Sequence, residues 1–200
     1  MPTLYHSPNS RSSTIVALIE EMDIADRVDI VTVDIRRRDG SGAPDPRNPH
    51  PEKKVPYLTI GDDHVRERGA IVTVLTDMFA DAGLGRPVGD PQRGAFLGWL
   101  FYYQGVMEPV LVHSWAGLDH PALRETFRDL DAVLTRLAEA LDGQPYLLGT
   151  EYSAVDLLLS SPFQWMPDTL PDVPVVRAWV ERCAARPAVR SVTDRERALL

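Results

Sequence analysis

Four serines and an asparagine crowd the segment YHSPNSRSST, residues 5–14, immediately before the chain turns strongly apolar. A hydroxyl in such a place can act as a nucleophile, donate a hydrogen bond to a reacting group, or cap the helix that follows. Ser12 and Ser13 fall where a first helical turn should begin, so they are expected to serve the helix start. Ser7, Asn9 and Ser10 stand earlier, ahead of the helix start. None of the four serines lies in the G-x-S-x-G elbow that exposes a hydrolase nucleophile.

Other reactive residue types are sparse. The single cysteine, Cys183, excludes an intrachain disulfide, and its place in WVERCAARP reads as the apolar face of a helix, where a thiol is buried and inert. The histidines at 6, 50, 64, 113 and 120 lack close ligand spacing, so no metal site is expected. GLGRPVG, residues 83–89, has neither the strand nor the helix that a phosphate-binding glycine loop needs. SAVD at Ser153–Asp156 is a capping box ahead of the apolar run LLLSSPF, and it reads as structural.

The elements that must position these residues fall into two halves. Apolar residues are 44% of the 200 and charged residues 25%, enough for a buried core without metal or disulfide staples. The net charge of −8 argues against nucleic acid as a partner, and Arg36–Arg38 reads as solvated surface. No basic segment precedes an apolar one at the N-terminus and no stretch of about 18 apolar residues follows, so no membrane role and a cytoplasmic location are expected.

Thr3–Tyr5 reads as a strand. Ile15, Leu18, Ile19 and Met22 then repeat at helical spacing, and Val28–Ile35 and Val55–Ile60 follow as strands. A very short strand around His64 and Val65 precedes a helix carrying Ala70, Ile71, Val74, Leu75 and Met78 inward. The prolines and glycines between residues 36 and 54 permit at most a short helix. After the turn-rich linker GLGRPVGDPQRG the pattern is helical throughout, over about 91–115, 121–141, 153–163 and 174–185, with a short tail helix beyond Pro187.

KVPYL at Lys54–Leu58, ERGAI at Glu67–Ile71, the turn-rich linker and LLGTEYSAVD at Leu147–Asp156 occur in an order that resembles the cytosolic glutathione transferase family over nearly the whole chain. The resemblance implies a thioredoxin-like α/β domain at 1–80 that binds glutathione, and an all-helical domain at 91–200 that contributes the pocket for a small apolar electrophile. It implies glutathione as co-substrate, no metal, and a homodimer. It makes Pro56 cis, so that the Val55 backbone meets glutathione; it sets Glu67 against the α-amino group and Lys54 against the glycine carboxylate, with Lys53 or His50 as weaker candidates.

Two departures from the family pattern matter. Arg68 stands where a serine is usual, so it either pairs with the γ-glutamyl carboxylate or points into water. The segment Asn48–Val55 is longer than usual. In this family a hydroxyl or a cysteine near the end of the first strand meets the glutathione sulfur. Here Ser10 aligns with the cysteine position, with Ser7 and Asn9 as neighbours in contention, while Tyr5 lies within the strand. Serine can donate to a thiolate but cannot form a mixed disulfide, which favours conjugation or substitution over thiol exchange. Disulfide reduction, ether cleavage, dehalogenation, isomerisation and a non-catalytic interaction module are the alternatives. Trp99, Tyr103 and Met107 are the candidates for the electrophile pocket.

Overall fold

The computed structural model describes residues 1–166, 170 and 172–199. The chain forms two compact units, one of residues 1–82 with 187–200 and the other of residues 83–186.

In the first unit, β1 (Thr3–His6) leads through α1 (Ser13–Glu21) to β2 (Asp29–Thr32), which pairs parallel to β1. β3 (Tyr57–Ile60) pairs antiparallel with β1, and β4 (Asp63–Val65) antiparallel with β3, giving the order β2-β1-β3-β4. α2 (Arg68–Met78) follows. No helix forms between Val33 and Pro56, where proline and glycine withhold donors and raise the entropy cost of ordering. β2 ends at Thr32 rather than running to Ile35, because the chain leaves the sheet into this irregular segment.

α1 is buried all round from Ser13 to Ile19, not only along the expected Ile15, Leu18 and Ile19 face. A helix buried on every side needs a second cover. That cover is α9 (Pro187–Arg197), which packs on α1 and buries Val189, Val192 and Glu196 at one helical face. The tail helix anticipated beyond Pro187 therefore belongs to the sheet-bearing unit, not to the helical domain drawn as 91–200.

The second unit is helical. α3 (Arg93–Tyr102) and α4 (Glu108–Trp115) are joined by a π-helical turn, Tyr103–Met107, just before Pro109. Proline cannot donate to the preceding turn and crowds its carbonyl, and the wider turn accommodates this. The helix anticipated over 121–141 is two, α5 (Pro121–Phe127) and α6 (Leu130–Ala140), broken where Arg128 adopts φ +69°. α7 (Ala154–Trp165) is almost wholly buried, and α8 (Pro174–Ala184) packs on it. Within α7, Pro162 cannot bond the Leu158 carbonyl, and the Ser161 hydroxyl donates to that oxygen instead at 2.8 Å.

The capping box at the start of α7 does more than start a helix. Buried Asp156 accepts from the Ser153 amide at 3.0 Å, the Ser153 hydroxyl at 2.9 Å, the Leu147 amide at 2.9 Å and Trp179 Nε1 of α8 at 3.0 Å. Nor is the linker loose. Arg86 is buried and donates to Gln92 Oε1 and the Gly85 carbonyl, while the Leu84 carbonyl accepts from the Ala154 amide.

Candidate functional site

Strand register decides which segments meet. Tyr5, near the end of β1, pairs with Tyr57, the first residue of β3, and Leu58 pairs with Val65, the last of β4. The loop after β1, the Val55–Pro56 dipeptide before β3 and residues 66–68 after β4 therefore leave the sheet at one end. The Val55–Pro56 bond is cis.

The loop after β1 is held by its own side chains. Asn9 adopts φ +56°, a left-handed conformation that asparagine tolerates better than most residues. Its backbone amide donates to Glu196 Oε2, and its side-chain amide donates to the Glu196 carbonyl at 3.0 Å. Ser10 is half-buried, and its hydroxyl donates to the Ser7 carbonyl at 2.7 Å and lies 2.7 Å from Ser12 Oγ. Ser7 is 1% exposed, and its hydroxyl oxygen accepts from Arg37 Nη2 at 3.2 Å. Arg37 also donates to the Pro8 carbonyl, so at least this member of the basic run is not simply solvated.

Ser12 and Ser13 do not cap α1 with their side chains. Ser12 occupies the N-cap position, but its hydroxyl lies 2.8 Å from His6 Nδ1 and accepts from the Ser7 amide at 3.1 Å. The Ser13 hydroxyl donates to Glu196 Oε2 at 2.7 Å. The reason is burial: with α9 laid over α1, hydroxyls at this end of the helix find buried polar groups rather than water.

His6, Ser12, Arg37 and Glu196 were not among the expected site residues. His6 and Ser12 had a sequence signal in their crowding beside Ser10, whereas Glu196, 186 residues from Ser10, had none. Burial and the nearby Arg195 guanidinium lower the His6 imidazole to about 4, leaving it neutral at pH 7.

At the other two segments, Glu67 stands before α2 with φ +66° and ψ +130°, an unusual conformation for a residue with a Cβ, worth about 1–3 kcal/mol of strain. Its side chain is exposed, while Arg68 is 5% exposed, so Arg68 does not point into water. The long segment before Pro56 is pinned by buried Asn48, whose side-chain amide donates to the Lys54 carbonyl at 3.1 Å and whose Oδ1 accepts from the His50 amide. Lys53 Nζ is spent on the Asn48 carbonyl, whereas Lys54 is exposed beside Glu52 at 3.2 Å. His50 is buried edge-on against Tyr57, and burial, then Arg66, lower its pKa.

In the helical unit Tyr103 and Met107 are fully buried, and Trp99 is half-exposed with the Arg136 guanidinium 5.0 Å from its ring centre. Cys183 is buried, and burial and the Asp156 charge push its thiol up. Among the described residues no three His, Cys, Asp or Glu side chains gather as a metal would require, and no helix is long and apolar enough to cross a membrane.

Residues 104–187 match the model of the glutathione S-transferase C-terminal domain. Glutathione S-transferase F14 of Arabidopsis thaliana is 28% identical over 158 residues, which are 70% of this chain and 62% of that protein. A glutathione transferase from Methylococcus capsulatus strain Bath is 25% identical, with a TM-score of 0.78 over 100% of both chains. Residues 104–187 thus carry the glutathione S-transferase C-terminal domain, and the chain as a whole is similar to glutathione S-transferases in sequence and fold. A sphingomonad glutathione S-transferase solved in complex with glutathione shares the fold, at 23% identity and a TM-score of 0.76 over 97% of this chain and 98% of that one. The chain spans less than two thirds of the plant transferase's own length. In this transferase-family fold the first unit is the thioredoxin-like part and the second the helical part.

Proposed function

We propose that this protein is a glutathione transferase that joins the glutathione sulfur to an electrophilic carbon of a small apolar compound. The observation that carries the reading is the convergence at one sheet end of the Ser10 loop, the cis Val55–Pro56 dipeptide and the Glu67–Arg68 turn. Val55 would offer backbone groups to the cysteinyl unit. Exposed Glu67 would take the α-amino group, and Arg68 the γ-glutamyl carboxylate, its guanidinium replacing the usual hydroxyl. Lys54, with its ammonium still exposed, would meet the glycine carboxylate.

Ser10 is the favoured partner of the sulfur because it is the more accessible of the two hydroxyls in contention. Ser7 is closed off by Arg37 and burial, and Asn9 is engaged on Glu196. Of the three pocket candidates in the helical unit, Trp99 retains exposed surface for an apolar substrate. Redox chemistry would have to be carried by glutathione itself, since Cys183 is buried with its thiol held protonated. The protein would act as a homodimer.

The test is calorimetric glutathione binding followed by a substrate panel of an aromatic halide, an activated alkene and a mixed disulfide. Binding in the millimolar range or tighter, with turnover of a carbon electrophile and loss of turnover in Ser10→Ala, supports the reading. A folded protein that binds no glutathione removes it, and turnover of the disulfide alone replaces it with thiol exchange.

A further inference from the structure

Behind Ser10 the polar chain continues inward. Ser10 Oγ is 2.7 Å from Ser12 Oγ, Ser12 Oγ is 2.8 Å from His6 Nδ1, and His6 Nε2 is 3.4 Å from Glu196 Oε1. Ser12, His6 and Glu196 are buried, and half-buried Ser10 stands at the outer end. Glu196 Oε2 is filled by the Asn9 amide and the Ser13 hydroxyl, but Oε1 is buried without a hydrogen-bond partner. The His6 ring nitrogen faces that open oxygen.

A carboxylate facing Nε2 favours the neutral tautomer that carries its proton there, which leaves Nδ1 bare to accept from Ser12. Ser12 can in turn accept from Ser10 once the Ser10 hydroxyl turns its one proton from the Ser7 carbonyl, 2.7 Å away, to Ser12 Oγ at the same distance. Oriented this way, the four groups repeat the order of a hydroxyl, imidazole and acid triad, with a second hydroxyl interposed. The charged groups around His6 are Glu196 and Arg195 of α9, Arg37, which reaches Ser7 from the segment after β2, and Glu20 of α1, which holds Arg195 at 2.7 Å.

We propose that this chain of groups is a proton relay that takes the proton of the glutathione thiol inward, from Ser10 through Ser12 to His6, as the sulfur attacks carbon. The proposal rests on the reading of Ser10 as the partner of the sulfur. In the step, the S–H bond breaks while the S–C bond forms, and the bond from carbon to a halide-type leaving group breaks with its electron pair going to the departing anion. The thiol proton joins Ser10 Oγ, the Ser10 proton passes to Ser12, and the Ser12 proton to His6 Nδ1. Glu196 steadies the imidazolium at Nε2. Because burial makes His6 a weak base, the proton then passes to solvent and the neutral imidazole is restored. Ser10 alone touches the reacting sulfur; Ser12, His6 and Glu196 are positioning residues that act through it.

The experiment measures kcat at saturating glutathione with an aryl halide between pH 5.5 and 9.5 for the wild type, His6→Gln, Ser12→Ala, Glu196→Gln and the His6→Gln/Ser12→Ala pair, alongside calorimetric glutathione affinity. Glu196→Gln keeps an oxygen for the Asn9 and Ser13 donors but can turn an amide N–H toward Nε2, which forces the proton onto Nδ1 and reverses the relay. The relay predicts that each single variant keeps its glutathione affinity within about twofold and loses roughly tenfold in kcat at pH 6.5. Each should converge on the wild type near pH 9, where solvent supplies thiolate unaided. The pair should be no worse than either single change, since members of one relay are not additive.

A solvent deuterium effect of about two in the wild type should disappear in the variants. Should His6→Gln fail to fold, Ser12→Ala and Glu196→Gln decide the matter. Variants with native glutathione affinity whose profiles run parallel to the wild type at every pH would overturn the relay. A wild type that neither binds glutathione nor turns over a halide would instead overturn the proposed function, and the relay with it.

Discussion

Glu196 is a carboxylate on the buried face of a helix, and burying such a group is costly except as donors meet its oxygens. Ser13 and Asn9 meet one oxygen, and His6 faces the other. Removing the Ser13 hydroxyl therefore takes a charge-assisted bond from a carboxylate that is 5% exposed, and Ser13→Ala should cost about 1.5–3 kcal/mol in denaturant unfolding.

His6 adds a pH term. Its folded value of about 4 lies below the ordinary 6.5, so between those values the unfolded chain binds the proton more readily. Stability should thus be complete above pH 6.5 and fall as the pH drops toward 4, by about 1.4 kcal/mol per unit at most. Unfolding of His6→Gln over the same range should show a shallower loss. The hydroxyl cluster was visible in YHSPNSRSST, but the division of labour within it was not. Ser12 and Ser13 read as helix starters because local spacing cannot reveal an acceptor brought in from residue 196.

At the scale of elements, hydrophobic period located most of the strands and helices, and it missed where the period carries no information. The α5–α6 break at Arg128 has no proline or glycine to announce it. The full burial of α1 depends on α9, whose two buried valines look from sequence like an ordinary amphipathic tail. The role of α9 leads to a stability prediction. A chain ending at Arg186 loses the burial of Val189 and Val192, worth roughly 1.5–3 kcal/mol each, and leaves α1 exposed. Thermal melting should fall by roughly 10 °C, at about 2–4 °C per kcal/mol for a chain of this size, and glutathione binding should vanish with the loop that Glu196 holds. A truncated chain with native melting and affinity would assign α9 no such part.

Asp156 governs the corresponding joint in the helical unit. All four groups bonded to its carboxylate are donors, from Ser153, Leu147 and Trp179, so the amide of Asp156→Asn must aim an N–H at an N–H or O–H. Burial raises the carboxyl and the four donors lower it, burial being the larger. The asparagine variant should lose about 2–3 kcal/mol, read as a shift of the urea midpoint with an unchanged slope.

At the scale of the whole molecule, the order of four motifs carried the resemblance to glutathione transferases. The assignment of the last helix to the first unit was not legible, since nothing in residues 187–200 names the element they cover. Assembly is the remaining question at this scale, and one helix face bears on it. Along α3, Gly94, Gly98 and Phe101 recur four and then three residues apart, on a single face. Phe101 is 75% exposed, and added Cβ atoms at both glycines would meet nothing within 4 Å.

A large aromatic beside a glycine-lined shallow is self-complementary: across a two-fold axis each Phe101 can enter the space left by the partner's small residues. The homodimer proposed for this protein is therefore expected to bury this face. Phe101→Glu places a charge at the centre of that contact, and light scattering should then give half the wild-type mass while circular dichroism and melting of the folded chain stay near native. A wild type that is already monomeric at tens of micromolar, or a Phe101→Glu protein that keeps the dimer mass, would place the contact elsewhere or remove it.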